Sequence, residues 1–284
     1  MPLVSTKKIL EDARQGGYGI GAFNVYNLEA VQGVIKAAEK ANLPAIIQAW
    51  AGIFRFGSVT METLSAIVHA EAQKANVPIA FHLDHGESFA EIMRAIRAGF
   101  GSVMIDASTK SLEENIKLTR KVVEAAHSVG VEVEAELGHV GIGKNSKEEG
   151  TANTWLTDPG EAAYFVEETG VDFLAVAIGT LHGFYQAEPK LDIPRLKQIA
   201  QAVNVPLVLH GSSYTPPEQI KEAIKGGINK INVATELNVE FVQGIKEALK
   251  EDWETPYPNN LTDMGREYYS KAVEDKIKLF ALNR

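Results

Sequence analysis

Short apolar runs alternate with longer amphipathic stretches about eight times along the 284 residues, and no other property of the chain constrains its fold as much. The apolar runs read as strands over Gly19–Val25, Ala45–Trp50, Ile79–Asp84, Ser102–Asp106, Val131–Leu137, Phe173–Ile178, Leu207–His210 and Ile228–Val233. Between them, helical periodicity covers Leu28–Ala41, Met61–Asn76, Phe89–Ala98, Leu112–Val129, Pro159–Thr169, Ile193–Val203, Pro217–Lys225 and Thr235–Leu249. The joints Asn42-Leu43-Pro44, Asn76-Val77-Pro78 and Asn204-Val205-Pro206 each end a helix and restart a strand, because the residue before proline disfavours α geometry. This order predicts an α/β fold, the (β/α)8 TIM barrel.

Two segments flank the pattern. Ser5–Arg14 reads as a helix capped by Ser5 that closes the bottom of the barrel, and a final helix around Asp263–Leu282 follows the TPYPNN break. With 45% hydrophobic residues, a chain of 284 can bury one large core, so residues 1–284 are expected to form one barrel domain with a C-terminal helical extension. The stretch Gly138–Thr157 is rich in Gly, Lys, Asn and Glu and follows the fifth strand on the side where barrel sites form. It reads as a mobile lid or as a solvated insertion.

Cysteine is absent, which removes disulfides and thiolate metal sites and leaves His, Asp and Glu as metal-binding groups. The N-terminal residues lack a leader-like apolar segment and no run reaches membrane-spanning length, so a soluble cytoplasmic protein is expected. A net charge of -9 argues against broad nucleic-acid contact but leaves room for a small phosphorylated substrate in one local pocket.

His85 in FHLDHG, His182 in AVAIGTLHG and His210 in PLVLHG each end an apolar run and precede a glycine. One such histidine is ordinarily a packed residue; three at corresponding barrel ends point to a metal with an open coordination position. By the period of two, His82 and Asp84 share one strand face while Leu83 and His85 face away, until the strand ends. Asp106, Glu134, Glu136 and Asn232 also interrupt apolar strands near their ends. A buried charge is costly unless paired or metal-bound, and a metal at the barrel mouth explains all of them together. Asp106 serves either to cap the next helix or to support a metal, and Glu136 either pairs with a lysine or does likewise. His69, His127 and His139 fit no strand-end pattern and are assigned to helix surfaces or loops.

Gly211-Ser212-Ser213 follows the seventh strand, and Asn232-Val233-Ala234-Thr235 leads from the eighth into a helix. Barrels commonly hold phosphate at these two loops, where small residues let main-chain N–H groups approach an anion.

The segments HLDHG, SVMIDAS, VEVEAELG, AVAIGTLHG, VLHGSS and KINVATEL give the chain, over nearly its whole length, a resemblance to the class II, zinc-dependent fructose- or tagatose-bisphosphate aldolases. NVATEL and LTDP are similar to the tagatose-bisphosphate branch. The resemblance implies reversible cleavage of a ketose 1,6-bisphosphate, tagatose or fructose, to dihydroxyacetone phosphate and glyceraldehyde 3-phosphate. It implies Zn2+ on His85, His182 and His210, with Asp84 as acid/base group for the aldehyde oxygen. Asp106 and Glu136 match a second or alternate metal position. Asn24, Gly183, Gly211, Ser212, Ser213, Asn232, Val233, Ala234 and Thr235 match substrate-binding positions. A monovalent cation and a homodimer or homotetramer are further implications. Lys230 then fits electrostatic support better than imine formation.

The chain departs from the resemblance at several points. Lys144 and Asn145 stand near the expected loop acids, with Glu148 and Glu149 slightly later as candidate bases. Trp50 replaces a small hydroxyl residue and Ser212 a glycine or alanine. Asn283-Arg284 resembles a motif whose arginine binds the distal phosphate. Three other readings stay open: an aldolase for another phosphorylated ketose, a metal-dependent barrel hydrolase in which Asp84 activates water, and a sugar-phosphate-binding protein without turnover.

Overall fold

Period-two alternation sorts the strand side chains into two packed layers, and a ring of parallel strands is how both are buried. The computed structural model describes residues 3–143, 155–251, 257–282 and 284. The strands are β1 (Ile20–Asn24), β2 (Ala45–Trp50), β3 (Ile79–Gly86), β4 (Ser102–Ile105), β5 (Glu132–Leu137), β6 (Gly141–Ile142), β7 (Phe173–Val176), β8 (Leu181–His182), β9 (Leu207–Leu209) and β10 (Ile228–Val233). Eight of them close a barrel in the order β1-β10-β9-β7-β5-β4-β3-β2, and β6 pairs with β8 outside it. The TIM-barrel expectation holds.

Outward-facing Phe23, Ile47, Phe81, Leu83, Leu174 and Ile231 pack under the surrounding helices. Inward-facing Ile20, Ala22, Ile46, Ala80, Phe173 and Val208 form a separate apolar layer near the strand starts. The helix α1 (Thr6–Gly16) closes that layer with Ile9, Leu10 and Ala13, as the N-terminal sequence predicts. Its Ser5 cap accepts from the Lys8 main chain at 3.0 Å, and the Lys7 N–H donates to Glu132 at the start of β5 at 2.9 Å.

The outer helices are α2 (Leu28–Ala41), α3 (Gly52–Arg55), α4 (Met61–Ala72), α5 (Phe89–Ala98), α6 (Leu112–His127), α7 (Pro159–Thr169), α8 (Ile193–Ala202), α9 (Pro217–Gly226), α10 (Thr235–Glu251) and α11 (Pro258–Phe280). Asn27, Thr60, Ser88 and Ser111 cap their helices through the side chain, each such cap contributing about 1 kcal/mol. Asn42 ends α2 in left-handed geometry with φ 54°, which makes the first Asn-Leu-Pro joint a helix stop.

The last helix starts earlier than periodicity indicates, because Pro258 sits in its first turn, where the missing N–H costs nothing. It lies along α2 and α10, and Tyr269 from its buried face donates to the Asn24 carbonyl at 2.7 Å. Close approach to α10 requires Gly244, where a Cβ would sit 2.5 Å from the Met264 carbonyl oxygen. Among the described residues, no helix is long and apolar enough to cross a membrane.

Candidate active site

β3 carries the first histidine to the barrel mouth by breaking its own alternation. Its register with β4 shifts between Leu83 and Gly86, and His85 adopts φ 52°. A bulge combined with left-handed geometry at a non-glycine residue turns His85 inward beside Asp84, whereas strict alternation would send it outward. His210 follows β9 directly and is fully buried. His182 lies on no barrel strand: β7 stops at Val176, and His182 belongs to the small β6–β8 pair over the mouth. The three rings nevertheless converge, with centroids 4.7 Å (His85–His210), 5.1 Å (His85–His182) and 5.9 Å (His182–His210) apart. One nitrogen from each lies within 4.8 Å of the others.

Carboxylates orient two of these rings. His85 Nδ1 lies 2.8 Å from Asp106 Oδ2, and His210 Nε2 lies 2.8 Å from Glu134 Oε1. Acceptor-only carboxylates place the ring protons on those nitrogens. His85 Nε2 and His210 Nδ1 then face each other at 2.9 Å with a lone pair each. Two lone pairs so close need a shared cation or proton between them. Burial and the neighbouring His85 hold His210 well below its ordinary pKa, the neutral form a metal ligand requires. Three imidazoles without thiolate are a donor set suited to zinc.

Asp106 and Glu136 form a second group with His85 whose ligand atoms also fall within 4.8 Å of one another. Burial works against the Asp106 carboxylate, yet hydrogen bonds from His85 and the Ser108 main chain outweigh it and hold the group below the usual carboxylate range. Asp106 caps no helix, since Ser111 does that for α6. Among the described residues Glu136 meets no lysine: Oε1 accepts from the Val140 N–H at 3.0 Å, and Oε2 is buried without a hydrogen bond, 3.5 Å from His210 Nδ1. Burial, then the nearby Asp106 charge, pushes the Glu136 carboxyl up to about 8.

Asp84 sits in a cage of amides. Asn232 Nδ2 donates to Oδ1 at 3.1 Å, and Gln48 Nε2 and Asn24 Nδ2 approach Oδ2 at 3.3 and 3.5 Å. Lys230 Nζ donates to Asn232 Oδ1 at 2.8 Å and lies 2.8 Å from Glu134 Oε2. A buried polar chain therefore runs Glu134–Lys230–Asn232–Asp84 and joins the support of His210 to the acid/base candidate. Lys230 is fully enclosed in this chain, in keeping with a supporting role.

Asn24, Asp84, His182, Gly183, Gly211, Ser212, Ser213, Asn232, Ala234 and Thr235 line one cleft. Gly211 has φ 65°, and a Cβ there would sit 2.5 Å from the Leu181 carbonyl oxygen, so glycine is needed for this loop to pass under β8. Ser212 Oγ donates to the Asn232 carbonyl and ties the two loops together, while Ser213 Oγ accepts from the Glu236 N–H at the start of α10. The Val233 side chain packs in the outer core, between the cleft residues Asn232 and Ala234 along the chain.

Other sequence candidates lie elsewhere. Arg284 stacks on Tyr18 with its guanidinium 4.2 Å from the ring centroid, below the start of β1 and at the opposite end of the barrel from His85. Lys144, Asn145, Glu148 and Glu149, with most of the expected lid, lie outside the described residues, as does Asn283. His69 bonds the Gly99 carbonyl and His127 bonds Asp172, whereas His139 is buried in its loop, 3.9 Å from Glu136.

Sequence reasoning placed Glu134 only among the polar residues grouped around a metal and assigned no role to Gln48 or Tyr185. Gln48 interrupts the apolar run AIIQAW at an inward position, and Glu134 shares the face of Glu136, so the period of two contained both signals. Tyr185 gave none: its hydroxyl accepts from the Leu181 N–H at 3.0 Å and donates to the Gly211 carbonyl at 2.7 Å, coupling the His182 segment to the glycine loop.

A parallel barrel with three convergent imidazoles, a caged carboxylate and a glycine–serine loop at its mouth has the arrangement of a barrel enzyme able to hold a metal ion. The chain belongs to the class-II fructose-bisphosphate aldolase family, which it matches over residues 4–283. It is similar to the YdjI aldolase from Escherichia coli K12, with 42% identity, TM-score 0.85, and 98% of this chain and 97% of that one covered. A putative fructose-1,6-bisphosphate aldolase from Coccidioides immitis is 32% identical, with TM-score 0.88 over 97% of this chain and 95% of the other. The fold recurs in a fructose-bisphosphate aldolase from Campylobacter jejuni at 24% identity and TM-score 0.82, covering 98% and 95% of the two chains. Family membership makes the protein a lyase and sets aside the hydrolase and non-catalytic readings.

Proposed function

We propose that the protein is a zinc-dependent aldolase that reversibly cleaves a phosphorylated ketose, a ketose 1,6-bisphosphate such as the fructose or tagatose form in the family's pattern, to dihydroxyacetone phosphate and an aldehyde. One observation carries the reading: His182, whose ring nitrogen lies within 4.8 Å of those of His85 and His210, lines one cleft together with Asp84 and the Gly211–Ser213 loop. His85, His182 and His210 would hold the metal, and Asp106 and Glu136 would offer an alternate position with His85. Zinc there would supply Lewis-acid polarisation of the substrate's ketone and hydroxyl oxygens.

The protein's own groups do the rest. The main-chain N–H groups of Gly211–Ser213 and of the α10 start, with the Ser213 and Thr235 hydroxyls, receive the phosphate of the dihydroxyacetone half. In cleavage, Asp84 takes the proton of the hydroxyl on the carbon that becomes the aldehyde, the electrons of the broken carbon–carbon bond pass to the ketone half, and the carbon that receives them then takes a proton from a general acid or solvent to give dihydroxyacetone phosphate. In condensation Asp84 returns its proton to the aldehyde oxygen. The three amides around it fix its orientation, and acid/base work of this kind contributes about 100- to 10,000-fold.

A cleavage assay over fructose and tagatose 1,6-bisphosphates and ketose monophosphates tests the reading. Activity that disappears on chelation and returns with zinc is the expected result. Full activity in metal-free protein, or no carbon–carbon cleavage of any ketose phosphate, would overturn it.

A further inference from the structure

Beside the catalytic cleft lies a cavity of about 660 Å3 that shares Asn24, Ala234 and Thr235 with it. A volume of that size is typical of small-molecule sites. Trp50, at the mouth end of β2, forms part of its wall and meets Phe56 edge-on at 5.6 Å, and Phe184 adds a third aromatic surface. Asn238 and Gln243 from α10 contribute amides.

Lys246 is the single basic side chain among the described residues of this cavity, and it lies at an exposed position. Arg55 of α3 turns to Glu87 at 2.8 Å and Glu91 at 3.6 Å, and Arg284 is held on Tyr18 at the far end of the barrel. A phosphate ester is ordinarily gripped by an arginine fork or by a run of main-chain N–H groups. Here the Gly211–Ser213 loop and the start of α10 supply that grip on the histidine side of the cleft. The aromatic cavity presents ring faces and amides, which suit carbon-bound hydrogens and hydroxyls.

We infer that this cavity receives the aldehyde half of the substrate as a neutral polyhydroxylated chain, recognised by Trp50 and the α10 amides, and that a second phosphate is not required. The inference rests on the aldolase reading above. In condensation a general base takes a proton from the carbon beside the ketone of dihydroxyacetone phosphate, the electron pair left there forms the bond to the aldehyde carbon, and the aldehyde C=O pair moves to oxygen, which takes a proton from Asp84; both groups then exchange protons with solvent. The far end of the aldehyde changes no bond, so whether it carries phosphate is a matter of which side chains receive it and not of the chemistry.

The test compares condensation of dihydroxyacetone phosphate with glyceraldehyde and with glyceraldehyde 3-phosphate on the zinc-loaded full-length enzyme. The neutral aldehyde should match or exceed the phosphorylated one in kcat/KM. A preference of about tenfold or more for the phosphorylated aldehyde overturns the inference. Trp50→Ser should raise the KM for glyceraldehyde about two- to tenfold with kcat and the KM for dihydroxyacetone phosphate little changed, and Trp50→Phe should restore most of it. An unchanged KM in Trp50→Ser overturns the role of the indole. Exchange of the dihydroxyacetone phosphate proton with deuterated solvent needs no aldehyde and reports on the parent reading. Exchange with a strong phosphate preference removes only the subsite, whereas no exchange and no condensation removes both.

Discussion

The two ends of the barrel interior use the same strands and the same alternation for opposite purposes. Near the strand starts the inward positions are Ile20, Ile46, Ala80, Phe173 and Val208, sealed by Leu10 and Ala13 of α1. Near the strand ends they are Asn24, Gln48, Asp84, Glu136, His210 and Asn232, all buried and polar or charged. The lower layer gains from burial itself, whereas the upper layer must satisfy each group at its neighbour's expense. The apolar layer lies below and the candidate site above, with the Glu134–Lys230 pair at the boundary.

Breaking the upper layer at Asp84 should have the largest effect. Asp84→Asn is expected to lower kcat about 100- to 10,000-fold with metal content unchanged, measured by steady-state cleavage and metal analysis. Retained turnover would remove Asp84 from the chemistry.

Glu134→Gln sharpens the boundary. It leaves the buried Lys230 charge unpaired, costing about 3–5 kcal/mol in a denaturant titration, and should weaken zinc binding about 10- to 100-fold through loss of the charged acceptor of His210. Adding Lys230→Met should recover much of the stability without recovering zinc affinity. Equal recovery of both would mean that Glu134 serves only the charge balance.

Leu10→Ala attacks the lower layer. Its expected cost is about 2–5 kcal/mol, with kcat/KM close to wild type well below the unfolding transition. A large loss of activity in still-folded protein would show that the two ends are coupled.

The smallest expected effect is a pH slope in metal-free protein. Burial raises the Glu136 carboxyl from 4.5 to about 8 in the folded chain, so folding favours its neutral form. That contribution is complete below about pH 4.5 and is lost as pH rises through about 8. Denaturant midpoints of chelated protein should fall across that window more steeply than those of Glu136→Gln; parallel curves would place Glu136 in a solvated setting.

Much of this architecture was legible in the chain. The eight barrel strands were recovered within a few residues and every long helix was anticipated, because periodicity, N-caps and Asn-Pro joints act over neighbouring residues. His85, His182, His210 and Asp84 were legible because polar residues stand out at the ends of apolar runs. The route of each histidine was not. His85 depends on a bulge that period two cannot foresee, and His182 on the β6–β8 pair, two short strands with little signal of their own.

Local patterning thus specified a parallel barrel with a histidine- and carboxylate-rich mouth. Ring closure decided the rest: that Glu134 on β5 meets His210 after β9, that Gln48 on β2 faces Asp84 on β3, and that Arg284 lies below β1. Spacing along the chain carries no record of such partners, because they are joined only when strands distant in sequence become neighbours around a closed sheet.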